Sequence, residues 1–303
     1  LGTFLQQIIN GLALGSIYAL IALGYTMVYG VLKLINFAHG DVFMIGAYAG
    51  LFVATAVGTA AGPLTVPVVF LGSMAICALI GVLMERFGYR PLLEQSRMSI
   101  LITAIGISLL FENLGILLFG ATPRTFPAII PERVFEPLSD VFVRSSQLAV
   151  FGVSVVLMLL LRWVVFGTRM GLAMRAVSHS IDAAKLMGVP TNRTIGFTFA
   201  LGSALAAAGG ILFALVFPKI EPLMGVMAGL KAFVAAVLGG IGSIPGSLIG
   251  GLVIGLAETM IVGYGDIIHV ESTYRDAVAF LILIFVLLVR PQGILGRIEK
   301  EKV

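Results

Sequence analysis

Asn36, His39, Asp41, Glu112, Asn113, Lys231 and Glu258 stand inside apolar stretches of the sequence. Ionisable groups in such surroundings are costly and tend to face a cavity or a partner. Their chemistry is that of charge and hydrogen bonding: gripping the ionic end of a solute, or neutralising one another. Lys231 and Glu258 either pair across a broken apolar segment, or Lys231 snorkels its ammonium to an interface. Asn36, His39 and Asp41 cluster at a break in the apolar pattern, Ile35–Asp41. Unwound backbone there needs water or protein around it. The break therefore either borders a translocation path or is a satisfied turn, with Asp41 capping the next helix. Glu112 with Asn113 faces either a neighbouring helix or the same path. Covalent chemistry has no comparable basis. No Ser/His/Asp set or metal-spaced His/Cys cluster converges, and His39 has no second ligand four residues on. No metal site is expected.

A second group of residues offers docking chemistry. Ser180-Ile181-Asp182-Ala183-Ala184-Lys185-Leu186-Met187-Gly188 has the makings of a short helix. Ser180 is a suitable N-cap and Asp182 suits the first turn. Gly188 can end the helix in the left-handed conformation, and Pro190 prevents continuation. Ile181, Ala184, Leu186 and Met187 give it an apolar side, a suitable knob for a socket on a soluble partner. The helix sits in a polar island, Arg162–Arg193, holding five basic residues (Arg162, Arg169, Arg175, Lys185, Arg193) against Asp182. Apolar spans flank it on both sides. Lys and Arg resist translocation, so the loop at about 167–193 should be cytoplasmic.

The elements that position these residues must be membrane helices. Of the 303 residues, 59% are hydrophobic and 11% charged, with a mean hydropathy of +1.10. A soluble domain carries roughly 25% charged residues. The expected fold is therefore all-α: a polytopic helical bundle in the lipid bilayer, one domain over residues 1–303, with about 8–10 transmembrane segments, some broken. The apolar stretches are Phe4–Tyr29, Val42–Val57, Val66–Met84, Ser99–Phe119, Gln147–Phe166, Ile195–Phe217 and Ala277–Val289. Two shorter ones fall in Leu223–Val262, split at Gly239–Gly246. That glycine-rich split follows no strand and lacks the Lys-Ser/Thr pair of a nucleotide loop.

Charge orients the bundle. Arg86–Arg97, the polar island and the tail with Arg290, Arg297, Lys300 and Lys302 read as cytoplasmic. The segment 120–146, with three basic and three acidic residues and four prolines, reads as an extracytoplasmic loop. So does Gly263–Asp276, with Asp266, Glu271 and Asp276 against Arg275. The N-terminus is then external; no basic region precedes the first span, and Lys33 is the first basic residue. The net charge of +4 reflects these edges, not nucleic acid. The single cysteine, Cys77, allows no intrachain disulfide. An internal echo is visible: Ala38-His39-Gly40-Asp41 and Ile244-Pro245-Gly246-Ser247 each precede a small-residue helix, another span and an Arg-Pro pair. Two related halves and chance likeness of glycine-rich spans both explain it. Glycines four apart (Gly11/Gly15, Gly46/Gly50, Gly225/Gly229, Gly242/Gly246/Gly250, Gly251/Gly255) let helices approach closely, either in tight packing within one subunit or at a dimer seam or moving gate.

Here a resemblance enters. Asp182-Ala183-Ala184-x-x-x-Gly188 resembles the Glu-Ala-Ala-x-x-x-Gly loop by which ABC importer permeases dock on their ATPases, with Asp in place of Glu. Gly11–Gly30, Ile35–Gly40 and Met227–Gly246 resemble the LivH-type permeases of high-affinity branched-chain amino acid importers, and the likeness runs nearly end to end. The resemblance implies a multi-pass protein of the bacterial inner membrane. It implies a LivM-type second permease, two cytoplasmic ATPases and a periplasmic binding protein that delivers leucine, isoleucine or valine. ATP and Mg would bind in the partner subunits. The chain itself has no Gly-x-x-x-x-Gly-Lys-Ser/Thr, so it should bind no cofactor and act as no enzyme. Coupling would then fall on Ser180, Ile181, Asp182, Ala183, Ala184, Met187 and Gly188. Urea, amides or another small solute are alternative cargoes, and a stand-alone secondary transporter or channel is the alternative mechanism.

Overall fold

The computed structural model describes residues 2–58, 62, 64–93, 95–138, 140–268 and 274–296. Among them are eleven α-helices: α1 (Gly2–Leu32), α2 (His39–Val57), α3 (Thr65–Leu83), α4 (Arg97–Phe119), α5 (Ser145–Gly167), α6 (Arg169–His179), α7 (Ile181–Leu186), α8 (Thr191–Val216), α9 (Met224–Gly239), α10 (Ile244–Ile268) and α11 (Arg275–Val289). Seven are long and apolar enough to cross a membrane. The shorter apolar helices α9 and α11 complete the nine segments read from the sequence. α3 continues through a π-helical turn, Met84–Tyr89, and a short 3-10 turn, Arg90–Leu92. The strands are few: β1 (Arg124–Thr125) pairs antiparallel with β4 (Lys219–Ile220), and β2 (Val134–Leu138) with β3 (Val141–Arg144). Glu271, Arg297, Lys300 and Lys302 lie outside the described residues.

α1, α2 and α8 form the buried centre, while α3, α4 and α5 expose most of their apolar surface. A helix apolar on every face needs a nonaqueous surrounding, and lipid supplies it. α1 and α10 run antiparallel along most of their length. Their contact is so close that a Cβ on Gly251 would lie 2.6 Å from the Cα of Ala19. A Cβ on Gly15 would lie 2.8 Å from the Cα of Leu252. Gly46 and Gly50 meet Ala207 and Ile211 of α8, and Gly225 and Gly229 meet Gly40 of α2. The glycine pairs thus serve packing inside the subunit, the first of the two uses expected.

Two sequence boundaries shift. The unwound stretch is shorter than Ile35–Asp41, because α2 already begins at His39, and Asp41 lies within its first turn. Ala38 occupies the N-cap with no side-chain hydrogen bond, so Asp41 does not cap. Within Leu223–Val262 only α9 is short; α10 spans 25 residues, its glycines packing on α1 and α9 rather than breaking it.

The charged segments sort to opposite ends. Gln6 donates through Nε2 to the Phe142 carbonyl at 3.0 Å, and the Phe142 amide donates back to its Oε1 at 2.7 Å. The start of α1 therefore lies at the end that carries segment 120–146. The opposite, basic end holds the close of α3 beside the start of α8, with the Tyr89 and Phe199 rings tilted at 41°, their centroids 5.1 Å apart. It also holds the turn after α9. There Gly240, at φ +99, reverses the chain, and the tail returns: the amides of Ile294 and Leu295 donate to the carbonyls of Leu238 and Gly239 at 2.8 and 3.0 Å.

Candidate functional site

Three polar sites emerge from this framework. The first joins four helices in the buried half of the bundle. Lys231 of α9 lies 2.7 Å from Glu258 of α10 and 2.6 Å from Asp276 of α11. Tyr18 of α1 donates its hydroxyl to Glu258 at 2.9 Å, and Arg275 stands 3.6 Å from the same carboxylate. The lysine and glutamate side chains are each 5% exposed. Lys231 therefore pairs rather than snorkels. A buried charge at this depth requires such partners, and two acids against two bases leave the cluster neutral.

The second site surrounds the start of α2. Asn36 accepts the Tyr89 hydroxyl at 2.7 Å, while its Nδ2 has no hydrogen-bond partner among the described residues. His39 places Nε2 3.2 Å from the Ile21 carbonyl and meets the Tyr25 ring edge-on at 4.6 Å. Ser108 of α4 donates to Asp41 at 2.5 Å. Glu112 lies one helical turn beyond Ser108 on α4 and is half-buried; Asn113 is exposed and donates to the Leu109 carbonyl at 2.7 Å. The structure keeps Asn36, His39 and Asp41 close along the chain but turns them to different neighbours, Asn36 to Tyr89, His39 to α1 and Asp41 to α4, while Lys231 and Glu258 belong to the first site. Among the described residues no group of three His, Cys, Asp or Glu side chains could hold a metal.

The third site is the short helix of the polar island, which stands between α6 and α8. The Ser180 hydroxyl accepts the Ala183 amide at 3.2 Å, as an N-cap should. At the other end the Gly188 amide donates to Lys185, and the Val189 amide to Ala184, both at 3.0 Å. This reciprocal pair requires a left-handed residue, and Gly188 supplies it with φ +79. The exposed face differs from the expected one. Ala184 is buried and Ile181 packs against the core, anchoring the helix, whereas Leu186 and Met187 are 89% and 84% exposed. Asp182, Ala183 and Lys185 are exposed beside them. A preceding helix, α6, was not foreseen; Thr168 caps it by accepting the Gly171 amide at 3.0 Å.

A cavity of about 640 Å³ opens at the end opposite this helix. Residues of α1, β2, β3, α5, α8, α10 and α11 line it, with Glu258 in its wall. Sequence reasoning reached Glu258 but not the cavity. Its other members were hidden among spans, although Gln6, Gln7 and Asn10 on the outer turns of α1 were a readable signal. Tyr18 and Ser108 carried none, being single hydroxyls in apolar runs.

These arrangements carry no catalytic set; they hold charge, bury polar groups and present a knob. The family model described as branched-chain amino acid transport system / permease component matches residues 7–287. The chain belongs to this permease family. The high-affinity branched-chain amino acid transport system permease protein LivH of Escherichia coli K12 is 44% identical, across 99% of this chain and 98% of its own. BraD of Pseudomonas aeruginosa, a permease protein of the same description, is 42% identical over equal shares. Among solved structures, PsaBC from Streptococcus pneumoniae in complex with Fab aligns with a TM-score of 0.50 and 16% identity, covering 95% of this chain and 92% of its own. That likeness concerns the fold alone. The chain is thus a multi-pass inner-membrane protein, the permease component of a multicomponent transport system. A stand-alone channel and a urea or amide permease are not favoured.

Proposed function

We propose that this chain is one permease subunit of an ATP-driven importer for leucine, isoleucine and valine. Its partners are a LivM-type second permease, two cytoplasmic ATPases that bind ATP and Mg, and a periplasmic binding protein. The observation that carries the coupling role is the exposed Leu186–Met187 knob on a helix capped at both ends. Apolar side chains so exposed on a basic, polar island mark a surface awaiting a partner. The basic end is then cytoplasmic, and the end bearing segment 120–146 faces the binding protein.

The mechanism follows from rigidity at the knob and mobility behind it. α7 is only six residues long, so a push on it passes to α6 and α8 rather than being absorbed. α8 lies in the buried centre against α1, α2 and α3, and its displacement would repack all three. ATP binding closes the ATPases, moves α7, and biases the bundle between inward and outward access. Asp41 lies where α2 meets α4, which also carries Glu112 and Asn113; His39 lies where α2 meets α1, Asn36 beside Tyr89, and Lys231 and Glu258 where α9 meets α10; these are the polar positions offered to the path. The test is ATP hydrolysis by the purified complex containing this chain. Leucine-loaded binding protein is expected to stimulate it several-fold. Hydrolysis indifferent to that protein would refute the importer reading.

A further inference from the structure

Among the described residues, α4 is the least buried of the seven long spans, with 17% of its apolar stretch buried. One side meets the bundle: Ser108 donates to Asp41, and Gly115 lies against Met44. The opposite side carries Ile102, Gly106, Leu110, Asn113 and Leu117, all exposed. Steps of four, four, three and four place them on one helical stripe. A Cβ on Gly106 would meet nothing within 4 Å.

Asn113 does not suit a lipid-facing stripe. α4 runs from 97 to 119, so its midpoint is 108, and Asn113 lies about 7.5 Å beyond it at 1.5 Å per residue. That depth is inside a hydrocarbon core roughly 30 Å thick. Among the described residues its side chain makes one hydrogen bond, to the Leu109 carbonyl. The amide oxygen and one N–H are left over, and lipid can satisfy neither. The other outward spans, α3 and α5, expose only apolar side chains and glycine over residues 65–83 and 146–161. Glu112, half-buried, adds a carboxylate on the flank of the stripe. Ser108, one turn earlier, holds Asp41, so two acids share this part of the span. Among the described residues no cation pairs with either.

We infer that the Gly106–Asn113 face of α4 is the surface on which the second permease docks. One transmembrane helix of that subunit brings a small residue to Gly106 and a hydrogen-bond donor or a cation to Asn113 and Glu112. Small residues and interhelical amide bonds are the devices that join helices in lipid, and an ionisable group in a span calls for a partner. A second copy of this chain fits worse. A two-fold seam sets each surface against itself, which would bring two Glu112 carboxylates together without a base. The surface rests on the importer reading and gives its second permease a place; Glu112 and Asn113 then border the path where it runs along this seam.

The test is photo-crosslinking in the purified complete complex, with a benzophenone side chain in place of Leu110 or Leu117 on the stripe, or of Leu79 on α3. Adducts with the second permease are expected from Leu110 and Leu117 at yields several-fold above that from Leu79. Equal or lower yields, or adducts with another copy of this chain, would overturn the surface. Gly106→Leu and Asn113→Leu should each lower the second permease recovered with this chain several-fold. Gly106 has room for the larger side chain within the subunit, and leucine at 113 would suit lipid, so full recovery in both variants would mean that lipid covers this face. If a variant fails to fold, the crosslinking yields decide. A second permease that co-purifies but crosslinks elsewhere removes the surface alone. If none co-purifies with the unaltered chain, the importer reading fails and the surface with it.

Discussion

Glu258→Gln removes one charge from the four-helix cluster and leaves Lys231 facing Asp276 alone. Breaking a buried pair by deleting one partner typically costs about 3–5 kcal/mol, and the remaining carboxylate, 2.6 Å away, holds the loss near the lower bound. The thermal midpoint of the purified complex should fall clearly. Lys231→Met combined with Glu258→Gln should cost less than the sum of the single changes by about 1 kcal/mol or more, since contacting residues couple. Strict additivity would mean that the two side chains do not interact. Gly188 makes a different demand. A Cβ there meets nothing within 4 Å, so Gly188→Arg strains only the backbone, by about 1–2 kcal/mol. Assembly should survive while bulk beside Met187 uncouples hydrolysis from uptake; uptake at the normal rate by this variant would remove α7 from the mechanism. At this scale much was legible. Ser180 and Gly188 act through bonds to residues three to five away, so local chemistry reveals them. Lys231 and Glu258 were marked by their charge alone. Tyr18 and Asp276 were not, because only the meeting of α1, α9, α10 and α11 brings them together.

The helices were legible as apolar runs, and their ends as changes in polarity. How they pack was not, because a membrane helix apolar on all faces gives no stripe pointing to its neighbour. Glycine spacing was the one available clue, and it located the closest crossings without naming the partners. The α1–α10 contact depends on it. Gly251→Val would drive a branched side chain into the backbone of Ala19, where even a Cβ would lie 2.6 Å from its Cα. The expected outcome is loss of folded, monodisperse protein on size-exclusion chromatography; a normal elution profile would show that this crossing yields without cost. The short α7 shows the limit of periodicity. Six residues are too few to fix which side faces inward, so Ile181 and Ala184 were expected on the exposed side and proved to be its anchors.

Over the whole molecule, the basic end with α7 and the mixed-charge end with the cavity lie at opposite poles of one bundle. That separation fits a subunit that receives cargo at one face and mechanical work at the other, with the buried α1–α2–α8 centre between them. Composition established the membrane setting, and the island's charge is the ground on which its cytoplasmic side is proposed, since both follow from averages over many residues. The cavity could not be read in advance, because seven elements contribute to its wall. The most direct measurement is uptake of radiolabelled leucine into proteoliposomes holding either this chain alone or the complete complex. Uptake is expected only with the second permease, both ATPases, the binding protein and ATP present together. Accumulation of leucine by this chain alone, without ATP, would contradict the account.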